Sequence, residues 1–119
     1  MSKPVAHYSA FYRAGDWVIV SGQLGLKDGV LEPDVETQTR QALVNLKSVL
    51  SSAGATLTDI AKCTIFMTDI ENFAVINGLY ADAFGDHRPS RSAIAVKALP
   101  LGGLVEIEAW AYVSAGSGN

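Results

Sequence analysis

The chain has 119 residues, of which 49% are hydrophobic and 18% charged, so it is expected to fold as one globular domain with a modest core. Its formal net charge is −3 and its nine lysines and arginines form no run, which argues against a nucleic-acid partner because phosphate binding usually depends on a clustered basic face. The first residues lead into no apolar segment, and no apolar run approaches about 18 residues. We therefore predict a cytosolic protein without a signal peptide or membrane span.

Hydrophobic periodicity predicts the element order β-β-α-β-α-β-β. Strands are predicted at residues 8–13, 17–23, 60–68, 91–98 and 104–113. The first helix follows a candidate N-cap at Asp34 and ends before Gly54, and the second helix covers 71–84. Asp28-Gly29 is a turn signal. This order indicates an α+β domain in residues 1–113 with two helices packed on one sheet, and the small polar residues 114–119 are expected to form a flexible tail.

Alternation along the last two strands indicates a second sheet face that the helices do not cover. In the last strand, Glu106, Glu108, Trp110 and Tyr112 alternate with five apolar residues. In the strand before it, Arg91 alternates with apolar residues, and we assign it to the same open face as the two glutamates. Two helices can cover only one side of such a sheet. A large face that bears aromatic residues therefore implies a partner, most simply another copy of the chain.

Few patterns in the sequence indicate chemistry. His7 and His87 are isolated, and the chain contains no Cys-x-x-Cys pair, so a zinc site is not predicted. There is no phosphate-binding glycine loop, and Ser21 lacks the surrounding glycines of a nucleophile elbow. Cys63 lies in an apolar stretch and is interpreted as a small buried hydrophobic residue. The candidates that remain are the charged residues of the predicted open face.

An arginine on a partly buried face requires an anion, and its planar fork of donors matches a carboxylate. Two interpretations of Arg91 stay open at this point. One is an ion pair with a glutamate on an adjacent strand or in another subunit. The other is a pocket at a subunit interface that binds the carboxylate of a ligand, with a glutamate left to handle a water or a proton.

Six segments in matching order and spacing resemble the Rid (YjgF-type) family over roughly residues 6–113. These segments are 21–23, 38–46, 53–55, 73–80, 89–93 and 105–109. The resemblance implies a chorismate-mutase-like α+β fold and a homotrimer with ligand sites between subunits. It also implies hydrolytic deamination of 2-iminobutanoate or 2-iminopropanoate to the 2-oxo acid and ammonia, with no metal or organic cofactor.

The same resemblance assigns roles to individual residues. Arg91 stands in the Pro-x-Arg-Ser motif, where the family arginine binds the substrate carboxylate. Glu106 matches the glutamate that positions the hydrolytic water, with Glu108 as the alternative. The other expected substrate contacts are Tyr8, Ser21, Asn77, Ala93 and Glu108. For three of these a structural role is the alternative: an interface aromatic for Tyr8, a sheet hydroxyl satisfied by backbone for Ser21, and a helix brace for Asn77.

The chain departs from the family pattern near the expected pocket. Ala6-His7 replaces the usual Gly-Pro, Ala10 replaces a frequent glutamine, and Ala93 stands where many members have cysteine. These changes leave substrate size open. Two rival functions also stay open, namely a non-catalytic protein that binds small carboxylates and a ribonuclease or translation inhibitor. The acidic charge balance argues against the ribonuclease.

Overall fold

The computed structural model describes residues 6–114. Its strands are Phe11–Ala14 (β1), Trp17–Leu24 (β2), Leu26–Lys27 (β3), Val30–Leu31 (β4), Ile60–Met67 (β5), Ser90–Ala95 (β6) and Val105–Tyr112 (β7). Its helices are Val35–Ser52 (α1) and Phe73–Phe84 (α2). The predicted α+β fold class is confirmed, since two helices pack on a mixed sheet. Of the predicted tail, residues 115–119 lie outside the described residues.

The main sheet has five strands in the order β1-β2-β7-β5-β6. Its neighbours are antiparallel except β5 and β6, which are parallel and are connected through α2. The remaining two strands, β3 and β4, form a short hairpin that the sequence signalled only as a turn. Asp28 and Gly29 at its tip both have positive φ, 53° and 81°, which is the geometry of a tight type I′ hairpin turn.

Helix α1 begins as the sequence predicts. The Asp34 carboxylate accepts a hydrogen bond of 2.8 Å from the backbone N–H of Thr37, which satisfies one of the free N–H groups of the first turn. Gln38 of α1 then connects the helix to the segments beside β4 and β7. Its buried side-chain amide donates to the Glu32 carbonyl at 2.9 Å and accepts from the Leu104 N–H at 2.8 Å. Gly25 permits this close approach, since a Cβ there would overlap the backbone of Gln38.

The core lies between the two helices and one face of the sheet. The strand side chains that point into it are all almost fully buried: Val18, Val20, Cys63, Ile65, Met67, Val105, Ile107, Ala109 and Ala111. Leu46 and Leu50 of α1 and Ile76 of α2 meet them from the other side. The prediction that Cys63 is buried is confirmed. Within residues 6–114, no helix is long and apolar enough to cross a membrane.

The register of β6 corrects the predicted position of Arg91. Cys63 of β5 pairs with Arg91 on one side and with Ala109 of β7 on the other, so Arg91 shares the helix-covered face of the sheet. The prediction that Arg91 lies on the open face with Glu106 and Glu108 is therefore wrong. Alternation within a strand identifies which residues share a face but not which face that is. In β6, an edge strand of the sheet, the helix-side residues Arg91 and Ala93 are only partly buried, so hydrophobicity could not decide it.

Candidate active site

Helix α2 holds the side chain of Arg91 at the edge of the sheet. The guanidinium Nη1 donates a hydrogen bond of 2.8 Å to the Asn77 side-chain oxygen. The guanidinium carbon lies 4.9 Å from the centre of the Tyr80 ring and 5.7 Å from that of Phe73. Both distances are within the range of a cation–π contact. We call Arg91 and these three α2 residues the arginine site.

The arginine site contains a cation without an anion. In the described part of the chain, no carboxylate lies within ion-pair distance of Arg91. The ion pair that residues 6–114 do form joins the exposed side chains of Arg40 and Glu36, both on α1. The interpretation of Arg91 as half of an Arg–Glu bridge within one chain is therefore not supported. A bridge to another subunit stays open. The guanidinium has the geometry and the free donors to take a carboxylate from outside the protomer.

Two neutral groups lie beneath the guanidinium. Cys63 is paired with Arg91 across the strands and is fully buried, and burial raises the pKa of its thiol. Burial also raises the pKa of Tyr80, and neighbouring Cys63 raises it further. Both groups are therefore protonated at neutral pH, so the protein supplies no negative charge below Arg91.

The opposite side of the sheet, the open face, carries a second group of predicted residues. Tyr8, Ser21 and Glu108 line an open cavity of about 380 Å³ together with the rings of Tyr12 and Trp110. Tyr8 precedes β1 and is half exposed. The Ser21 hydroxyl donates to the Ser9 carbonyl at 2.6 Å, as its structural alternative anticipated, and its oxygen can still accept a hydrogen bond from a ligand.

Glu106 and Glu108 lie next to each other on the open face, two residues apart in β7. Burial raises the pKa of Glu106, and the negative charge of Glu108 raises it further. A carboxylate with a raised pKa is a stronger base, which suits proton transfer near neutral pH. Glu106 is therefore the better candidate for a general base.

Sequence reasoning did not assign Gly22 a role in placing Glu106. The pairing of β2 with β7 shifts between Val20 and Gln23, which is a β-bulge. A Cβ on Gly22 would lie 2.6 Å from the carboxyl carbon of Glu106, so glycine at this position lets the Glu106 side chain keep its place, and a larger residue would displace it. The available signal was a glycine inside a strand whose first half contains a run of β-branched residues.

The open face also bears an aromatic patch formed by Trp17, Trp110 and Tyr112. Their rings meet edge to face, with the Trp17 centroid 6.0 Å from Trp110 and 5.1 Å from Tyr112. All three are between 37% and 51% exposed in the protomer. A contiguous exposed patch of this kind is characteristic of an interaction surface.

The predicted site residues thus fall into two groups on opposite faces of the sheet. Arg91, Asn77 and Ala93 are on the helix side of its β6 edge, while the other four are on the open face. Of those four, Tyr8, Ser21 and Glu108 line the cavity, whereas Glu106 lies outside its lining. The first group can bind an anion and the second can move protons. Among the described residues, no three His, Cys, Asp or Glu side chains come together as metal ligands.

Comparison with known proteins relates this arrangement to one family. Residues 1–113 match the family described as endoribonuclease L-PSP. A RutC family protein of Pyrococcus horikoshii is 41% identical over 113 residues, which cover 92% of this chain and 90% of the relative. A protein of Salmonella typhimurium named 2-iminobutanoate/2-iminopropanoate deaminase is 40% identical over 100 residues, which cover 80% of this chain and 78% of the relative.

Solved structures agree with the sequence comparison. RidA from the Antarctic bacterium Psychrobacter superposes with a TM-score of 0.90 at 36% identity, covering 92% of this chain and 91% of that one. The E. coli protein TdcF with bound serine superposes with a TM-score of 0.89 at 36% identity, covering 94% and 92%. Since both the family match and these relatives extend over nearly the whole chain, it belongs to the endoribonuclease L-PSP family, which includes the Rid proteins.

Proposed function

We propose that the protein hydrolyses 2-imino acids, with 2-iminobutanoate and 2-iminopropanoate as the expected substrates, to 2-oxo acids and ammonia. The observation that carries this proposal is the arginine site, in which Arg91 is oriented by Asn77 and meets no carboxylate among residues 6–114. A 2-imino acid supplies the missing carboxylate. Relatives named as deaminases of these substrates support the choice of reaction.

The proposal includes assembly as a homotrimer with sites between subunits. Arg91 and Glu106 lie on opposite faces of the sheet, so one protomer offers the two groups to different sides. A second copy packed on the open face would bring its own edge strand β6 beside the glutamates and cover the aromatic patch. The number of three subunits comes from the resemblance to the Rid family.

In the proposed reaction, the substrate carboxylate binds Arg91 and a backbone N–H near Ala93. Glu106 holds a water against the imine carbon. As the water oxygen bonds to that carbon, Glu106 takes a proton from the water and returns it to the imine nitrogen, which gives a carbinolamine. Glu106 next takes the hydroxyl proton and returns it to the amino group. The C–N bond then breaks, ammonia leaves with the bonding electrons, and the 2-oxo acid remains.

The contributions expected from this site are moderate. Holding substrate and water in register lowers the entropic part of the barrier. A general acid/base group of raised pKa contributes roughly 10²- to 10⁴-fold. Tyr8 and Ser21 would orient the imine end through their hydroxyls, and Glu108 keeps the pKa of Glu106 raised.

The experiment is an imine-hydrolysis assay in which the imino acid is generated in place from an amino acid and 2-oxo acid and ammonia are both measured. Arg91→Ala should lose activity. Arg40→Ala, which removes an exposed arginine on α1, is the matched control and should retain it. RNA cleavage is measured on the same preparations. Turnover of RNA without imine hydrolysis would instead support a ribonuclease, as the family's description has it. Pyruvate binding without turnover would support a non-catalytic carboxylate-binding protein.

The cytosolic location stays a prediction. A relative from Schizosaccharomyces pombe that is 41% identical over 105 residues is named mitochondrial, so the family is not confined to one compartment. Fractionation of the source cells with an antibody to the protein would test this directly.

A further inference from the structure

Three side chains of α2 surround the Arg91 guanidinium in a regular pattern. Phe73, Asn77 and Tyr80 are spaced by four and three residues, so they form one stripe along the helix. Residues seven apart on a helix are separated by about 10.5 Å along its axis. The guanidinium carbon is 5.7 Å from the first ring and 4.9 Å from the last, so it lies between them. Asn77 accepts its hydrogen bond at the midpoint.

Tyr80 is the better fixed of the two rings. Only 6% of its surface is exposed, and its ring stacks on Phe84 with the centroids 4.3 Å apart. Its hydroxyl is buried and has no hydrogen-bond partner of standard geometry among the described residues. What Tyr80 offers to Arg91 is therefore the face of its ring, whose negative potential attracts a cation.

The charges around the guanidinium make this contact important. The thiol of Cys63 and the phenol of Tyr80 are both neutral at neutral pH, and Asn77 is uncharged. The two rings thus stabilise the positive charge without neutralising it. An acidic residue in their place would hold the arginine equally well, but it would also compete with the carboxylate of a ligand.

We propose that Tyr80 is a positioning residue for carboxylate binding, and that its ring, with Phe73 as the second ring, holds the Arg91 fork ready for the substrate. This inference rests on the proposed function, because it requires Arg91 to bind the carboxylate. Arginine has five N–H donors, and Asn77 uses one of them. A fork that is already oriented loses less rotamer freedom on binding, which strengthens the complex.

The test compares Tyr80→Leu with Tyr80→Phe. Leucine keeps an apolar side chain but has no ring face, so the Kd for pyruvate and the KM for the imino acid should both rise about 3- to 10-fold. The value of kcat should change much less, because Glu106 and the water are untouched. Phenylalanine keeps the ring and removes only the hydroxyl beside Cys63, so it should recover most of the affinity. A merely structural role would lower Tm without this split between KM and kcat or this recovery.

A cycle with Arg91→Ala separates the two proposals. If Arg91→Ala leaves pyruvate binding unchanged, the proposed function fails. If Arg91→Ala weakens binding but Tyr80→Leu does not, only the positioning role is overturned. It is also overturned if Tyr80→Leu costs as much affinity in the Arg91→Ala background as in the natural chain. Should Tyr80→Leu fail to fold, Phe73→Leu replaces it, because Phe73 is partly exposed. The affinity for pyruvate should then fall about two- to fourfold, and an unchanged affinity would overturn the role of the rings.

Discussion

Arg91 and Glu106 belong to strands separated by a single strand, yet their surroundings differ in kind. The arginine is held from three directions by one helix, with a hydrogen bond and two ring contacts. The glutamate lies on an uncovered sheet beside Glu108, and the nearby aromatic rings are half exposed. One half of the candidate site is thus complete in a single chain, and the other half still lacks a neighbour.

This difference between the two residues shows which half of the candidate site a single protomer can explain. Anion binding needs an oriented fork of donors, and a helix stripe is sufficient to orient it. A base that works in water-poor surroundings needs a complete cover, whereas the chain itself buries Glu106 only in part. We therefore expect substitutions on the open face to act through assembly as well as chemistry, whereas substitutions in the arginine site should act on ligand affinity alone.

The largest effect is expected from Trp110→Glu, which places a charge in the middle of the aromatic patch. Burial of an unpaired carboxylate against another subunit is strongly unfavourable, so the oligomer should dissociate and imine hydrolysis should fall to background. Light scattering should give about three times the 12.6 kDa chain mass for the natural protein and one chain mass for the variant.

The control for this prediction is Val44→Glu. Val44 is 54% exposed on α1, on the far side of the molecule from the open face, so its variant should keep the mass of the natural protein. If the natural chain is already a monomer at micromolar concentration, the proposed assembly and the shared site are both wrong.

Glu106→Gln should lower kcat by roughly 10²- to 10⁴-fold, because it keeps the shape of the side chain but removes the base. Pyruvate binding should persist, since Arg91 is unaffected. Turnover and pyruvate affinity measured on one preparation test this. If Glu108→Gln abolishes turnover and Glu106→Gln does not, the two glutamates have exchanged roles. If neither slows hydrolysis, no general base acts from this strand.

Arg91→Ala should weaken pyruvate binding by about one to two orders of magnitude, since a charge-assisted contact contributes roughly 1.5–3 kcal/mol. Arg91→Lys should recover little of it, because lysine keeps the charge but not the fork. The oligomeric mass should be unchanged. Loss of the oligomer in either variant would favour an intersubunit ion pair over a ligand site, and calorimetry with pyruvate beside light scattering distinguishes the two.

The smallest effect concerns pH. The base form of Glu106 is the ionised one, so its raised pKa moves the acidic limb of the kcat profile to higher pH than an ordinary glutamate would give. Glu108→Gln removes the second cause of the raised pKa, so that limb should move to lower pH, while burial, the larger cause, keeps part of the shift. A limb that stays in place or moves upward would show that Glu108 does not act on Glu106 electrostatically.

The raised pKa of Glu106 should also make the stability of the fold depend on pH. Because the folded state raises the pKa of Glu106, its contribution to stability is present below the ordinary pKa of 4.5 and is lost as the pH rises through the folded value. Glu106→Gln should therefore raise Tm relative to the natural chain at neutral pH. The difference should disappear in acid, which thermal melts at both pH values can check.

The sequence predicted the elements of the core better than the relation between strands. The N-cap at Asp34, the end of α2 at Phe84 and the burial of Cys63 follow from local patterns, and the structure confirms them. The placement of Arg91 depended on register between β5 and β6, which no local pattern encodes. The β3–β4 hairpin was missed because its two-residue strands are too short for alternation to be visible.

The bounds of the edge elements differ for a related reason. The first strand was predicted over 8–13 and runs from Phe11 to Ala14, because its pairing with β2 through a tight turn decides where it begins. Tyr8 consequently lies before the strand, where it reaches the cavity of the open face. The contacts of Arg91 with the rings of Phe73 and Tyr80 could have been anticipated only in part. The spacing of the two aromatic residues along a predicted helix can be read from the sequence, but the residue that contacts them cannot.

Gly22 and Gly25 both lie too close to another group to carry a side chain, but Gly22 lies against a flexible side chain and Gly25 against rigid backbone. A methyl group at Gly22 would collide with the end of the Glu106 side chain, which can turn aside, whereas one at Gly25 would collide with the backbone of α1, which cannot. In a mutational scan that measures soluble expression and turnover separately, substitutions at position 25 should lower both quantities. Substitutions at position 22 should lower turnover alone. Variants at 22 would then accumulate as folded, inactive chains able to join active ones in mixed oligomers, which makes this position a source of dominant-negative subunits.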